Sequence, residues 1–330
     1  MRILLTGANG FIGQAIAAEL PEKSNEILAV GRPRTKNSNP NTVREKNYFK
    51  ADISKESNLE EIAKIGKIDV VIHCAGLAHQ FGNTKKEEFW KANVTGTENV
   101  VNTAVKLNAD KIIVISSVAV YGGMLTGENE VTEENVCRPQ EIYAASKLES
   151  EKIAQKICRE NKILLTILRP STVIGENDRG NFMRLIERID QNRFFWIGKG
   201  INRKSLIYKS EVARACRKIL FSETNSSEIY NISDEAISMK EVVDEIAREL
   251  NKKIPSITIS EKLMERFFTV NNSTFNIKKI NNLEQTVRKW LADDVYSGEK
   301  FRKDYDFQVK VSVKDAIKRE VSWYQAGKNV

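Results

Sequence analysis

The chain has 330 residues, enough for a large core and more than one subdomain. Hydrophobic residues supply 41% and charged residues 29%, an ordinary globular composition, and no apolar run approaches the roughly 20 residues of a membrane helix. The net charge of +8 comes from 52 basic and 44 acidic residues mixed along the chain without a basic, aromatic-interleaved stripe, which excludes a nucleic-acid reading and favours an anionic small molecule.

Met1-Arg2-Ile3-Leu4-Leu5-Thr6 runs directly into a glycine turn, so no secretory leader is expected at this end. Four dispersed cysteines (Cys74, Cys137, Cys158, Cys216) without a CxxC pair, and two histidines (His73, His79), give no metal-ligand set. They fit a reduced, cytoplasmic protein with no metal.

Apolar strands are expected at Ile3–Thr6, Ile27–Val30, Val70–His73, Ile112–Ser116 and Leu164–Leu168, rich in Ile, Val and Leu like strands covered on both faces. Helical patterns separate them at Ile12–Leu20, Asn93–Leu107 and Ala144–Glu160. This alternation predicts an α/β fold, a doubly wound parallel sheet of Rossmann type. Residues 1–170 form the expected dinucleotide-binding domain, which also carries the catalytic residues. Residues 171–330 form a smaller C-terminal substrate-binding subdomain, with helices at Phe182–Asp190, Ser238–Leu250 and Val313–Tyr324. Segments such as Lys204–Tyr208 and Glu228–Ile232 are expected to return to the main sheet.

Between the first strand and helix stands Thr6-Gly7-Ala8-Asn9-Gly10-Phe11-Ile12-Gly13. Gly7 permits a tight turn, Gly10 lets the backbone approach a pyrophosphate, and Gly13 lets helix pack against strand. The helix N-terminus then offers N–H groups and a positive dipole end to phosphates. The second strand runs out into Gly31-Arg32-Pro33-Arg34, with no carboxylate to hold ribose hydroxyls. An arginine there suits the extra phosphate of NADP(H). NADP(H) is therefore the favoured cofactor, with Arg32 as selector and Arg34 as helper, and NAD(H) stays open. Asp52, followed by Ile53, comes after a short strand at Tyr48–Lys50 and suits an adenine amino group. Arg32–Glu45 reads as a polar loop.

Ser116 and Ser117 end the fifth strand, and Tyr143, 26 residues beyond Ser117, shares one helix face with Lys147. A free tyrosine, with a pKa of about 10, is a poor base at neutral pH, and a neighbouring ammonium stabilises its phenolate. Ser117 orienting a substrate oxygen, Tyr143 exchanging its proton and Lys147 supplying positive charge and a bond to the nicotinamide ribose would suit hydride transfer at a carbinol or carbonyl carbon.

The chain resembles the extended short-chain dehydrogenases/reductases, which include nucleotide-sugar epimerases, dehydratases and 4-ketoreductases. The likeness covers nearly the whole length. It runs through TGANGFIG at 6–13, Asp52-Ile53, His73-Cys74-Ala75-Gly76, Asn93-Val94-Thr95-Gly96-Thr97, SSVAVYG at 116–122, YAASK at 143–147 and Arg169-Pro170-Ser171-Thr172-Val173-Ile174-Gly175. The resemblance implies catalysis by Ser117, Tyr143 and Lys147. It implies cofactor contacts from Gly7, Asn9, Gly10, Phe11, Ile12, Gly13, Arg32, Asp52, Ile53, Ala75, Gly76, Asn93, Lys147 and Pro170. It implies substrate contacts from Ser117, Tyr143, Thr172, Asn181 and Arg203, the last facing a diphosphate through its planar guanidinium. A homodimer, through helices around 93–107 and 144–160, is implied as well.

Two departures stand out. The family's acidic pair after the strand at 205–208 is replaced by Tyr208-Lys209-Ser210-Glu211, and Val118-Ala119 stand where dehydratases carry an acidic pair beside the serine. The expected activity is reduction of a UDP-linked 4-keto-6-deoxy-amino sugar. A UDP-sugar 4-epimerase with tightly bound NAD is the alternative, and a non-catalytic dinucleotide sensor the remaining one.

Overall fold

The computed structural model describes residues 1–20, 25–32, 47–78, 85–124, 129–223, 226–271 and 278–328. His79, Pro33 and Arg34, with most of the 32–45 segment, lie outside the described residues.

Each buried apolar run becomes a strand. β1 (Arg2–Thr6) leads to α1 (Phe11–Glu19), β2 (Glu26–Gly31), β3 (Tyr48–Lys50) and β4 (Val70–His73). The short α2 (Lys86–Phe89) passes through a π-helical turn at Trp90–Thr95 into α3 (Gly96–Lys106), which leads to β5 (Lys111–Ile115). The helix expected from 93 to 107 is thus the end of the widened turn and α3, and the helical run begins earlier, at Lys86. α4 (Ile142–Glu160) and β6 (Leu164–Pro170) follow.

Seven strands make one parallel sheet in the order β11-β6-β5-β4-β1-β2-β3, and its edge strand β11 (Glu228–Ile232) comes from late in the chain. The order reverses between β1 and β4, so the carboxyl ends of these two strands flank the crevice where ligands settle in such sheets. Side-chain alternation feeds two cores. Ile3 and Leu5 pack with Ile16 of α1, while Leu4, Val71 and Ile112 pack with Val100 and Ala104 of α3 and Ala154 of α4.

Beyond β6 lie β7 (Thr172–Ile174), α5 (Asn181–Asp190), β8 (Trp196–Ile197), β9 (Arg203–Lys204), β10 (Leu206–Tyr208) and α6 (Lys209–Leu220). After β11 come β12 (Ile237–Ser238), α7 (Met239–Glu249), β13 (Thr258–Ile259), α8 (Glu261–Val270), α9 (Lys278–Leu291), α10 (Glu299–Tyr305) and α11 (Val313–Lys328). The 204–208 segment does not return to the main sheet. It divides at Ser205, where Lys204 pairs with Ile237 and Leu206–Tyr208 run parallel to β7. Ser205 instead donates its N–H to Asp294 and accepts from Tyr296 through its hydroxyl, which ties this point to the stretch before α10. Helix α6, absent from the sequence expectations, buries Val212, Cys216 and Ile219 beside α1. α7 starts with a capping box between Ser238 and Glu241.

Candidate active site

At the end of β1, Gly7 takes a φ of 74° and its N–H donates to Val30. A Cβ at Gly7 would stand 2.6 Å from the Ala75 nitrogen, and one at Gly13 would stand 2.0 Å from the Gly7 oxygen. Both glycines are therefore demanded by close approach of backbone to backbone. Gly10 caps α1 with extended backbone, without a side-chain cap and without an acidic residue in the first turn. The positive end of α1 is left to an anion, which is the fit that a dinucleotide pyrophosphate requires. Phe11 and Ile12 open the helix, half-buried.

Asn9 and Tyr48 fix the backbone of Arg32. Asn9 Nδ2 donates to the Tyr48 hydroxyl (2.6 Å) and to the Arg32 carbonyl (3.3 Å), and that carbonyl also accepts from Tyr48 (2.5 Å). The Arg32 side chain is exposed at the end of β2. Asp52 follows β3 and closes a local turn, with Oδ1 accepting from the Ser54 N–H and hydroxyl. Those bonds hold its carboxyl below the usual range, although its partial burial pushes the other way. Ile53 is buried and would collide with a Cβ on Gly96.

β4 ends in His73, whose ring lies between Thr6 Oγ1 (2.7 Å) and Thr97 Oγ1 (2.9 Å). Burial, with some repulsion from Lys147, depresses its pKa to about 3, so the imidazole is neutral and structural. Half-buried Ala75 and exposed Gly76 follow. The Asn93 side chain is buried and hydrogen-bonded within the protein. Its Oδ1 accepts from Leu77 N (2.7 Å), and its Nδ2 donates to Leu77 O (3.1 Å) and Ser146 Oγ (2.9 Å). It couples the loop after β4 to α4 from within the π-helical turn, a kind of turn that recurs at functional sites.

Ser117, Tyr143 and Lys147 do converge. The half-buried Tyr143 phenol stands close enough to the Ser117 side chain for that hydroxyl to favour its charged form. Lys147 is buried and donates from Nζ to the Ile115 carbonyl at 2.6 Å. Burial pushes the Tyr143 phenol up, opposed by the nearby Ser117 hydroxyl. Burial likewise pulls the Lys147 ammonium down, opposed by Cys74 and Glu151. The expected lowering of the Tyr143 pKa by Lys147 therefore does not prevail, because burial outweighs it and the ammonium is directed at a carbonyl.

Below this layer runs a buried polar chain that the sequence reading did not single out. Arg169 donates from Nε to Glu151 Oε1 (3.0 Å), from NH2 to Oε2 (2.5 Å) and from NH1 to the Tyr121 hydroxyl (2.9 Å). Ser116, next to Ser117, donates to Glu151. Tyr121 donates to Asn231 Oδ1 of β11 (2.9 Å), and Asn231 N donates to Glu133 (2.7 Å). The signal was present in part: Glu151 stands four residues after Lys147, on the helical face of Tyr143.

The substrate candidates come from other elements. Pro170, a cofactor candidate, is buried at the end of β6, whereas Thr172 is exposed on β7. Asn181 is exposed at the start of α5, whose approach is fixed by Asp178 accepting from Gly180 N (2.8 Å). Arg203 is exposed. Its N–H is held by Asp293 (2.5 Å), and its NH2 donates to the Asn129 carbonyl (3.0 Å).

Residues 3–233 match the NAD dependent epimerase/dehydratase family. The chain is 28% identical over 262 residues, 77% of its length and 74% of the relative's, to an N-acetyl-alpha-D-glucosaminyl-diphospho-ditrans,octacis-undecaprenol 4-epimerase of Escherichia coli O157:H7. It is 26% identical over 335 residues, 98% of its length and 88% of the relative's, to a dTDP-D-glucose 4,6-dehydratase of Mus musculus. A crystal structure of UDP-glucuronic acid 4-epimerase from Bacillus cereus in complex with NAD superimposes with a TM-score of 0.77 at 20% identity, covering 98% of this chain and 96% of that one. With a family match across most of its length and the glycine turn and tyrosine–lysine helix in place, this chain belongs to the NAD dependent epimerase/dehydratase family, enzymes of the extended short-chain dehydrogenase/reductase type.

Proposed function

We propose that the protein is a nicotinamide-dependent oxidoreductase acting on carbon 4 of a nucleotide-linked sugar, and that the reaction is reduction of a UDP-linked 4-keto-6-deoxy-amino sugar. The observation that carries this reading is the placement of the Tyr143 phenol against Ser117 at the end of β5, with Lys147 one helical turn further along α4. When bound, a reduced nicotinamide would supply the hydride for the carbonyl carbon. Ser117 holds the carbonyl oxygen by a hydrogen bond. Tyr143 donates its phenolic proton to that oxygen as negative charge builds there. Lys147 supplies positive charge beside the phenolate that remains, and solvent returns the proton. The upward push of burial on Tyr143 suits a group that starts protonated and acts as an acid.

NADP(H) is the proposed cofactor, because β2 ends in Gly31-Arg32 with an exposed guanidinium and no carboxylate at that point. Arg203, Asn181 and Thr172 are the proposed contacts to the nucleotide diphosphate and sugar. The proposed assembly is a homodimer.

The 4-epimerase relative from Escherichia coli favours a second reading, in which the same residues first remove a proton from the 4-hydroxyl and later return it. Incubation with NADPH and UDP-4-keto sugars separates the two. Stoichiometric NADPH loss with formation of a 4-hydroxy sugar is expected. Interconversion of UDP-sugars without net cofactor loss would replace reduction with epimerisation.

A further inference from the structure

Helix α8 shows large apolar side chains on both its inner and its outer side. Phe268 is buried with Ile197 and Val287, and Met264 packs against that cluster. On the outside, Leu263, Phe267 and Val270 are 61%, 48% and 55% exposed. At about 100° per residue these three fall in a strip about 60° wide. Lys262 and Arg266, both exposed, flank one side of the strip, and Glu261 and Glu265 fall on the far side of the helix. Beside α8, β13 pairs with β8 in a register that sets Ile257 and Phe195 at neighbouring strand entries, and these are 75% and 48% exposed. Five of the ten strongly exposed large hydrophobics among the described residues belong to this unit, so surface apolarity is concentrated here rather than scattered.

The sequence around α8 is basic. Residues 252–291 carry eight Lys and Arg against three Glu, a net +5 of the +8 of the whole chain. An apolar strip edged on one side by cations, with acids turned away, is the pattern of a helix that lies in a bilayer interface. Among the described residues no helix is long and apolar enough to cross a membrane, so the mode of contact is superficial. The unit also adjoins the candidate active site. Lys289 near the end of α9 pairs with Glu141, the residue that caps α4 just before Tyr143.

We propose that the α8 face, with the surrounding basic unit, docks the enzyme on an anionic lipid surface. Leu263, Phe267 and Val270 enter the headgroup boundary, and Lys262 and Arg266 meet the lipid phosphates. Docking sets the flank of the active site against the membrane. The inference does not depend on which reaction the site performs.

Flotation of the full chain with vesicles tests it. Vesicles of phosphatidylcholine with roughly a third phosphatidylglycerol are compared with phosphatidylcholine alone, at low and at high salt. Binding only to the anionic vesicles, weakened by salt, is expected. A Leu263→Ser/Phe267→Ser variant is expected to lose about tenfold in partitioning, and Lys262→Glu/Arg266→Glu to lose the preference for anionic lipid. These side chains are exposed, and an unchanged circular dichroism spectrum confirms that each variant is folded. Absence of binding to either vesicle, or binding that both variants retain, overturns the proposal. So does a concentration-dependent dimer in sedimentation that Leu263→Ser/Phe267→Ser abolishes without any lipid binding, since the strip then covers a second copy of the chain.

Discussion

Arg169 and Glu151 face each other through two hydrogen bonds, of 3.0 and 2.5 Å, where both side chains are at most 5% exposed. Separating such a pair leaves one charge buried without a counter-charge. Glu151→Ala is expected to lower unfolding free energy by about 3–5 kcal/mol. An apolar double replacement, Glu151→Leu with Arg169→Met, is expected to be less damaging than either single change. Urea unfolding of the three variants measures this, and additive losses would count against the pair as one unit.

The glycine turn gives a graded prediction. A Cβ at Gly13 meets the Gly7 oxygen at 2.0 Å, whereas one at Gly10 meets the same atom at 3.1 Å. Gly13→Ala is expected to destabilise by about 1–3 kcal/mol or more through overpacking, and Gly10→Ala by less. Both are expected to weaken dinucleotide binding. Thermal unfolding and cofactor titration together check the order.

Tyr143→Phe keeps the ring contact with Phe89, at 6.1 Å between centroids, and removes the hydroxyl. Activity is expected to fall about 10²–10⁴-fold with little change in thermal midpoint. The raised Tyr143 pKa keeps the acid protonated, so the reductive rate of the parent enzyme is expected to be flat across the neutral range. A variant with unchanged turnover would remove Tyr143 from the chemistry.

Glu320 on α11 is buried and accepts from the Gly175 N–H at 2.7 Å, near Asp178, Glu176 and Lys209. Burial, then repulsion from Asp178, pushes its pKa from 4.5 up to about 9. Between those values the unfolded chain has lost a proton that the folded chain keeps, so stability falls as pH rises through the window. Glu320→Gln retains an acceptor for Gly175 and has no such proton. Its thermal midpoint is expected to match the parent near about pH 5 and to exceed it by about 3 °C near pH 9. A constant difference at all pH values would contradict the assignment.

The Rossmann half was legible because its signals are local. The apolar runs at 3–6 and 70–73 end where the sheet places them, and Tyr143 and Lys147 share a helix face as their spacing demands. Further along, periodicity also anticipated the helices at 182–190, 238–250 and 313–324 and the chain return at Glu228–Ile232. Segment 204–208 looked like one strand, but Ser205 is claimed by Asp294 and Tyr296, contacts that no local pattern announces. The same holds for Asn93, whose amide is committed to Leu77 and Ser146, and for Tyr143, whose burial overrides the charge of Lys147. Spacing identifies which groups meet, while desolvation, a property of the whole fold, decides their protonation.

The late arrival of β11 has a consequence for biosynthesis. Until Glu228–Ile232 has been made, β6 is an edge strand with an unpaired row of backbone groups, and Tyr121 lacks its Asn231 acceptor. A nascent chain halted soon after Pro170 would thus expose an adhesive sheet margin, and the finished sheet must wait for a contact of long sequence separation. Fragments ending there are expected to aggregate or to recruit chaperones, and those extending past Ile232 to do so far less.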